Sequence, residues 1–201
     1  DKGSTLKTIS PLKNLLIKAG VEETFTVESN IFDLRHLNKL LKFYKDGDVN
    51  FKKNHLIVTS DLDVSRYDYC GPSLIMKPPE KDIDMPECEI NFTLKESVFD
   101  WINQQATVLQ LNDFYFKGCE KSGKVIMGAT NKKNDSEHEL SKVVGEGAKK
   151  TFNILMRKEN LKLVPGDYNI SISSKGISHF KNVKTDLEYW IALEPASEYG
   201  E

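Results

Sequence analysis

Thr151–Pro195 reads TFNILMRKENLKLVPGDYNISISSKGISHFKNVKTDLEYWIALEP, and the reading of the chain turns on it. It opens with apolar and basic residues that fit a helix over 153–163, and it breaks at Val164-Pro165-Gly166. Beyond the break, Tyr168, Ile170 and Ile172 fall on one side of a strand, because successive side chains of an extended chain alternate faces. Tyr189-Trp190-Ile191-Ala192-Leu193 is too apolar for a plain surface strand. The expectation is therefore a helix over 153–163 and strands over 167–174 and 187–193. No nucleophile, metal cluster or phosphate loop accompanies them, which points to a surface that holds something.

The chain has 201 residues, 39% of them apolar, and a formal net charge of −2. That length admits one large domain or two small ones. Acids and bases nearly balance, so a nucleic-acid role needs basic residues gathered on one face. No run approaches the roughly 20 apolar residues of a membrane-spanning helix, and DKGSTLKTIS at the start lacks the apolar centre of a signal peptide. Cys70, Cys88 and Cys119 are odd in number and lack metal-ligand spacing; they read as reduced thiols of a cytosolic protein, where the Asn-x-Ser/Thr matches at Asn91, Asn134 and Asn169 carry no glycosylation meaning.

Strands are expected over Leu6–Ser10, Asn14–Ala19 and Glu23–Glu28. The period then changes. Asp33–Lys45 sets Leu34, Leu37, Leu40 and Leu41 on one helical face, with Asp33 or Asn30 to cap it. A hairpin over 51–60 and a strand over 73–77 follow. The Lys77–Glu87 stretch, KPPEKDIDMPE, reads as an extended linker, since proline fixes φ and donates no ladder bond. After it come a strand at Glu89–Thr93, a helix over 95–109 with Phe99, Ile102, Ala106 and Leu109 inward, and a hairpin of Asp113–Lys117 with Lys124–Ala129. Residues 131–150 read as a loop around a weak strand. Both halves thus run strands, helix, strands, a repeat of architecture only.

Catalytic readings lack the necessary company. Gly145-Glu-Gly147-Ala-Lys-Lys150 misses the spacing of a phosphate-binding loop, and Gly176-Ile-Ser178 is no nucleophile elbow. His138 has acidic neighbours but no second histidine at ligand spacing, and nothing local joins Cys119 to His179 as a thiol–imidazole pair. Two helical runs instead expose basic faces: Arg35, Lys39, Lys42 and Lys45 in the first, Arg157, Lys158 and Lys162 in the second. Taken alone, either face reads as ordinary solvation. Together they let a near-neutral chain meet phosphates without reading bases.

Thr151-Phe-Asn-Ile-Leu, Leu163-Val-Pro-Gly-Asp-Tyr168 and Tyr189-Trp-Ile-Ala-Leu-Glu194 together resemble the C-terminal part of the sliding clamps of T-even-type bacteriophages. Phe32-Asp-Leu-Arg-His-Leu37 and its leucine-rich continuation are similar to the first half of that family. The resemblance implies an α+β fold of two similar DNA-clamp domains, 1–80 and 81–201 (the second with its connector), with antiparallel sheets outside and helices lining a central pore. It implies a homotrimer, PCNA-like in plan, that encircles duplex DNA and tethers a replicative polymerase. A clamp loader acts on it in the host bacterial cytoplasm, and the chain itself has no catalysis and no cofactor.

Carried onto this chain, the resemblance directs helices 33–45, 95–109 and 153–163 at DNA. Arg35, Lys39, Lys42, Lys95, Arg157, Lys158 and Lys162 become the phosphate contacts, and strand 73–77 pairs with strand 124–130 of the next subunit. A partner-peptide groove follows from Ile83, Met85, Pro165, Tyr168, Trp190 and Pro195; the competing reading packs Tyr168 and Trp190 into the core. Family members begin with a helix and a strand before the first hairpin, and Asp1 falls inside that region. A first domain lacking those elements is expected to lack one pore helix and one sheet partner. The alternative function is a non-catalytic assembly or scaffold protein that does not bind DNA.

Overall fold

The computed structural model describes residues 3–131 and 138–200. Part of the expected 131–150 loop, with Asn134 and the acidic neighbours of His138 at 135–137, lies outside the described residues. The strands are β1 (Gly3–Ile9), β2 (Leu15–Phe25), β3 (Asp48–Phe51), β4 (His55–Ser60), β5 (Asp63–Asp68), β6 (Ile90–Leu94), β7 (Asp113–Gly118), β8 (Lys124–Thr130), β9 (Leu140–Glu146), β10 (Phe152–Arg157), β11 (Tyr168–Ser173), β12 (Ile177–Asn182), β13 (Leu187–Ala192) and β14 (Glu198–Tyr199). Among the described residues the α-helices are α1 (Leu34–Leu41) and α2 (Glu96–Val108).

Among the described residues these form three antiparallel sheets. One has the order β1-β2-β13-β12-β11-β6, the second β14-β10-β7-β8-β9, and the third β3-β4-β5. The larger core lies between the first two sheets and α2. It takes Ile90 and Leu94 from β6, Phe114 and Phe116 from β7, Ile154 and Met156 from β10, Ile170 and Ile172 from β11, and Ile102 from α2. Leu15 and Ile17 of β2 pack against it, so the N-terminal hairpin is built into this core although it lies on the far side of the connector. The third sheet and α1 share only a small core of buried Leu37, Leu56 and Val58.

α2 follows its periodicity, burying Phe99, Ile102 and Ala106. Its first turn is capped from a distance: Asp167 accepts the Glu96 N–H at 2.9 Å, and Lys95 pairs with the same carboxylate at 2.8 Å. α1 starts at Asp33 as expected, whose carboxylate accepts from the N–H groups of Arg35 and His36. Leu34, expected inward, is exposed, because the small core reaches only the Leu37 side of the helix.

Four expectations are corrected. Residues 153–163 do not form a helix: β10 occupies 152–157, and a short 3-10 turn spans Lys158–Asn160. β10 lies between β14 and β7, and it is covered on both faces. Ile154 and Met156 enter the core while Leu155, paired across from buried Tyr115, is covered on the opposite face. A strand buried on both faces loses its alternation, and a short continuous apolar run then reads equally as helix. The 73–77 strand is absent; Pro72–Leu74 forms a 3-10 turn and the residues beyond it join no sheet. Pro72 before the stretch and Pro78-Pro79 after it have no N–H to extend a ladder on either side. The partner expected for it, 124–130, is β8, whose two edges are already taken by β7 and β9. Finally, no separate strand forms at 23–28: residues 23–25 are the end of β2, paired back to Gly3 across a register shift, and residues 26–28 join no strand.

Candidate nucleic-acid interface and partner groove

The basic side chains fall into two groups. Arg35, Lys39 and Lys42 are exposed on α1, opposite buried Leu37. Arg35 already faces Asp33 at 3.0 Å, and that guanidinium holds the Asp33 carboxyl down at about 2. Lys95 is paired with Asp167, and Arg157 with Glu194 at 3.2 Å. Lys39, Lys42, Lys158 and Lys162 make no salt bridge among the described residues.

Lys158 and Lys162 are brought together by the turn that replaces the expected helix. The Lys158 N–H donates to the Asn112 carbonyl at 3.0 Å, fastening the turn to the segment that leaves α2. Its ammonium donates to the Thr107 hydroxyl at 2.7 Å, and burial pushes its pKa down. A cleft of about 460 Å³ runs between α2 and this turn, lined by Asn103, Thr107, Asn112, Lys158 and Lys162, with Asp100 and Glu159 also on its wall. A half-buried ammonium without a carboxylate gains from an arriving anion, and neutral amide and hydroxyl groups also donate to phosphate oxygens.

The groove residues divide. Tyr168 is buried, 1% exposed, and its hydroxyl donates to the Val164 carbonyl at 2.7 Å. The Tyr189 hydroxyl accepts the Val164 N–H at 3.1 Å, and the two rings meet edge to face at 5.8 Å. Two buried phenols thus brace the Val164-Pro165-Gly166 turn, and Tyr168 is no surface wall in this conformation. Pro165 and Pro195 are exposed.

Trp190 lies outside the core cluster although it is covered. Tyr189 and Ile191 beside it enter the core, so alternation turns Trp190 to the outward face of the first sheet. It stacks on His179 with ring centroids 4.8 Å apart, and His179 in turn contacts Glu188 at 2.7 Å. Leu16, paired across from Trp190, shares that face. The connector crosses it: Asp82 binds Lys7 at 2.5 Å and Lys18 at 2.8 Å, and the Glu80 carbonyl accepts from Lys7. The two ammonium groups hold the Asp82 carboxyl at about 2. Ile83 and Met85, next along the connector, are half-buried while Asp84 is exposed. Sequence reasoning missed this clasp, whose partners lie 64 and 75 residues apart and leave no local signal.

Antiparallel sheets around a shared core, two helices and a connector laid across an outward sheet face define a sliding-clamp fold. Among solved structures, the chain superimposes on A. fulgidus PCNA bound to the C-terminal region of FEN-1, with a TM-score of 0.66 at 14% identity, over 98% of this chain and 88% of that one. PCNA from Thermococcus kodakaraensis gives 0.64 at 16% identity, over 96% and 87%. The sliding clamp of Vibrio phage KVP40 is 27% identical over 197 residues, covering 96% of this chain and 88% of that protein. Residues 91–195 match the family model for the C-terminal part of the gp45 sliding clamp. The chain belongs to the gp45 sliding-clamp family.

Proposed function

We propose that three copies of this chain close head to tail into a ring around duplex DNA and tether a replicative polymerase to it. Family membership is the observation that carries this reading. The ring performs no chemistry; a clamp loader opens and closes it, and it works in the host bacterial cytoplasm. Closure prevents escape, so the phosphate contacts can stay weak and indifferent to sequence. A heterologous contact repeated by a rotation that divides the circle makes such a ring. β9 supports it, since it is the outer strand of its sheet and offers a backbone edge that β8 lacks. Residues 1–80 and 81–201 are the two clamp domains in chain order, joined through the β2–β13 ladder.

Lys39, Lys42, Lys158 and Lys162 are the principal phosphate contacts. Arg35, Lys95 and Arg157 contribute less, because each already faces a carboxylate. Partners dock on the outward face of the first sheet, between the connector residues Ile83 and Met85 and the Trp190–Pro195 segment.

Two measurements test the ring. Sedimentation at micromolar concentration is expected to show trimers. Linear duplex with open ends is expected to capture the protein by threading, while the same duplex with both ends blocked captures little. A monomer at every concentration, or capture indifferent to blocked ends, overturns the proposal in favour of a scaffold protein or an ordinary DNA binder.

A further inference from the structure

The covered state of Trp190 and Leu16 calls for a cause. Both face away from the core, and a large aromatic on an outward sheet face is ordinarily open to solvent or to a partner. Yet Trp190 is 6% exposed and Leu16 5%. His179 covers one side of the indole. The segment fastened beside the other is the connector, because Lys18 lies two residues from Leu16 on the same face of β2 and carries Asp82. Lys7 faces Lys18 across the β1–β2 ladder, so the two ammonium groups present a forked site to one carboxylate.

We propose that Asp82 is a releasable clasp that holds the connector as a strap over the Leu16–Trp190 floor, and that a partner's apolar segment reaches the floor only when the clasp opens. The clasp rests on the groove reading above and adds its control element. Asp82 is the only acidic side chain of the connector that bridges both lysines among the described residues; Glu80 beside it offers Lys7 its backbone carbonyl. The acidic groups acting on Lys18 are Asp82, Glu188 and Asp186, and Lys7 shares the first of them. Losing Asp82 therefore leaves Lys18 with attraction toward the sheet and none toward the connector. The clasp is exposed enough for salt to reach it, with about half of the Asp82 side chain open, 53%. Screening shortens from roughly 10 Å at about 0.1 M salt to roughly 3 Å at about 1 M. The strap is accordingly closed in dilute buffer and loosened by salt or by a competing carboxylate.

The chain has two tryptophans, so a Trp101→Phe background makes Trp190 the sole reporter. Acrylamide quenching of the free protein at neutral pH, without DNA or partner, reads the strap directly. Asp82→Asn is expected to raise the quenching constant about twofold, as an open population appears. Glu87→Gln removes the same charge from an exposed position of the connector outside the clasp, and is expected to leave quenching unchanged. Raising salt is expected to increase quenching in the parent and to have little effect in Asp82→Asn. Equal quenching of the parent and Asp82→Asn, or an equal rise in Glu87→Gln, overturns the clasp whatever the chain does with DNA. A strap that opens while partner binding is unaltered refutes its control of the groove and leaves the ring proposal intact.

Discussion

At the scale of single residues, the tyrosine pair shows how the chain fixes the Val164-Pro165-Gly166 turn. Val164 presents both backbone groups toward the interior, and Tyr168 and Tyr189 satisfy one each. Burial pushes the Tyr168 phenol up, which keeps it a neutral donor across the working pH range. Tyr168→Phe keeps the ring packing and deprives the Val164 carbonyl of its donor. It should lower unfolding stability by about 1–2 kcal/mol, the usual cost of orphaning a buried polar group, as read by urea denaturation. An unchanged midpoint would mean that water satisfies the carbonyl. The period-2 spacing of Tyr168 with Ile170 and Ile172 makes a shared strand face legible. It does not say which face, because the core that the face enters takes its residues from β6, β7 and α2, far away in sequence.

At the scale of elements, legibility follows how one-sided each element's burial is. α2 has a clean inward stripe, and its sequence pattern places its ends within a residue. β10 is covered on both faces and reads as a helix from its sequence, since the residues that cover Leu155 lie in β7 and beyond. The difference alters the geometry of the basic group more than its membership. Lys158 and Lys162 present their charges from a turn against the flank of α2, while Arg157 ends a strand and meets Glu194. Lys158→Ala with Lys162→Ala should therefore weaken capture by open-ended duplex. The logarithmic salt dependence should become shallower by about 0.9 for each phosphate no longer neutralised. Arg157→Ala, already neutralised by its carboxylate, should change the slope less. A larger effect from Arg157 would move the DNA-facing surface away from the α2 cleft.

At the scale of the whole molecule, the Pro-rich connector marks a change along the sequence but does not divide the structure. β2 belongs to the first half and pairs with β13 of the second, from Leu15–Ile191 to Ala19–Leu187. Its inward residues join the large core. Cutting the backbone after Lys81 should consequently leave the two pieces together on a native sizing column, and they should part only in denaturant. Separation without denaturant would mean that the ladder and its core packing are weaker than their burial implies. The strands–helix–strands order of each half is legible from periodicity, while the clamp fold is implied by the family resemblance. The pairing of β2 with β13 is not, since a ladder between distant strands is written in complementary faces that no local period records.

That same ladder governs when the chain can finish folding. At a synthesis rate of roughly 5–20 residues per second, β13 leaves the ribosome roughly 10–35 s after the stretch of β2 it must join. Until then the β1–β2 hairpin has its own pairing on one side and a bare edge on the other, the kind of surface that recruits stray strands. Lys18 projects beside that edge, and a charged side chain there discourages pairing with another nascent chain. A stretch translated late is therefore the one that secures a hairpin made early.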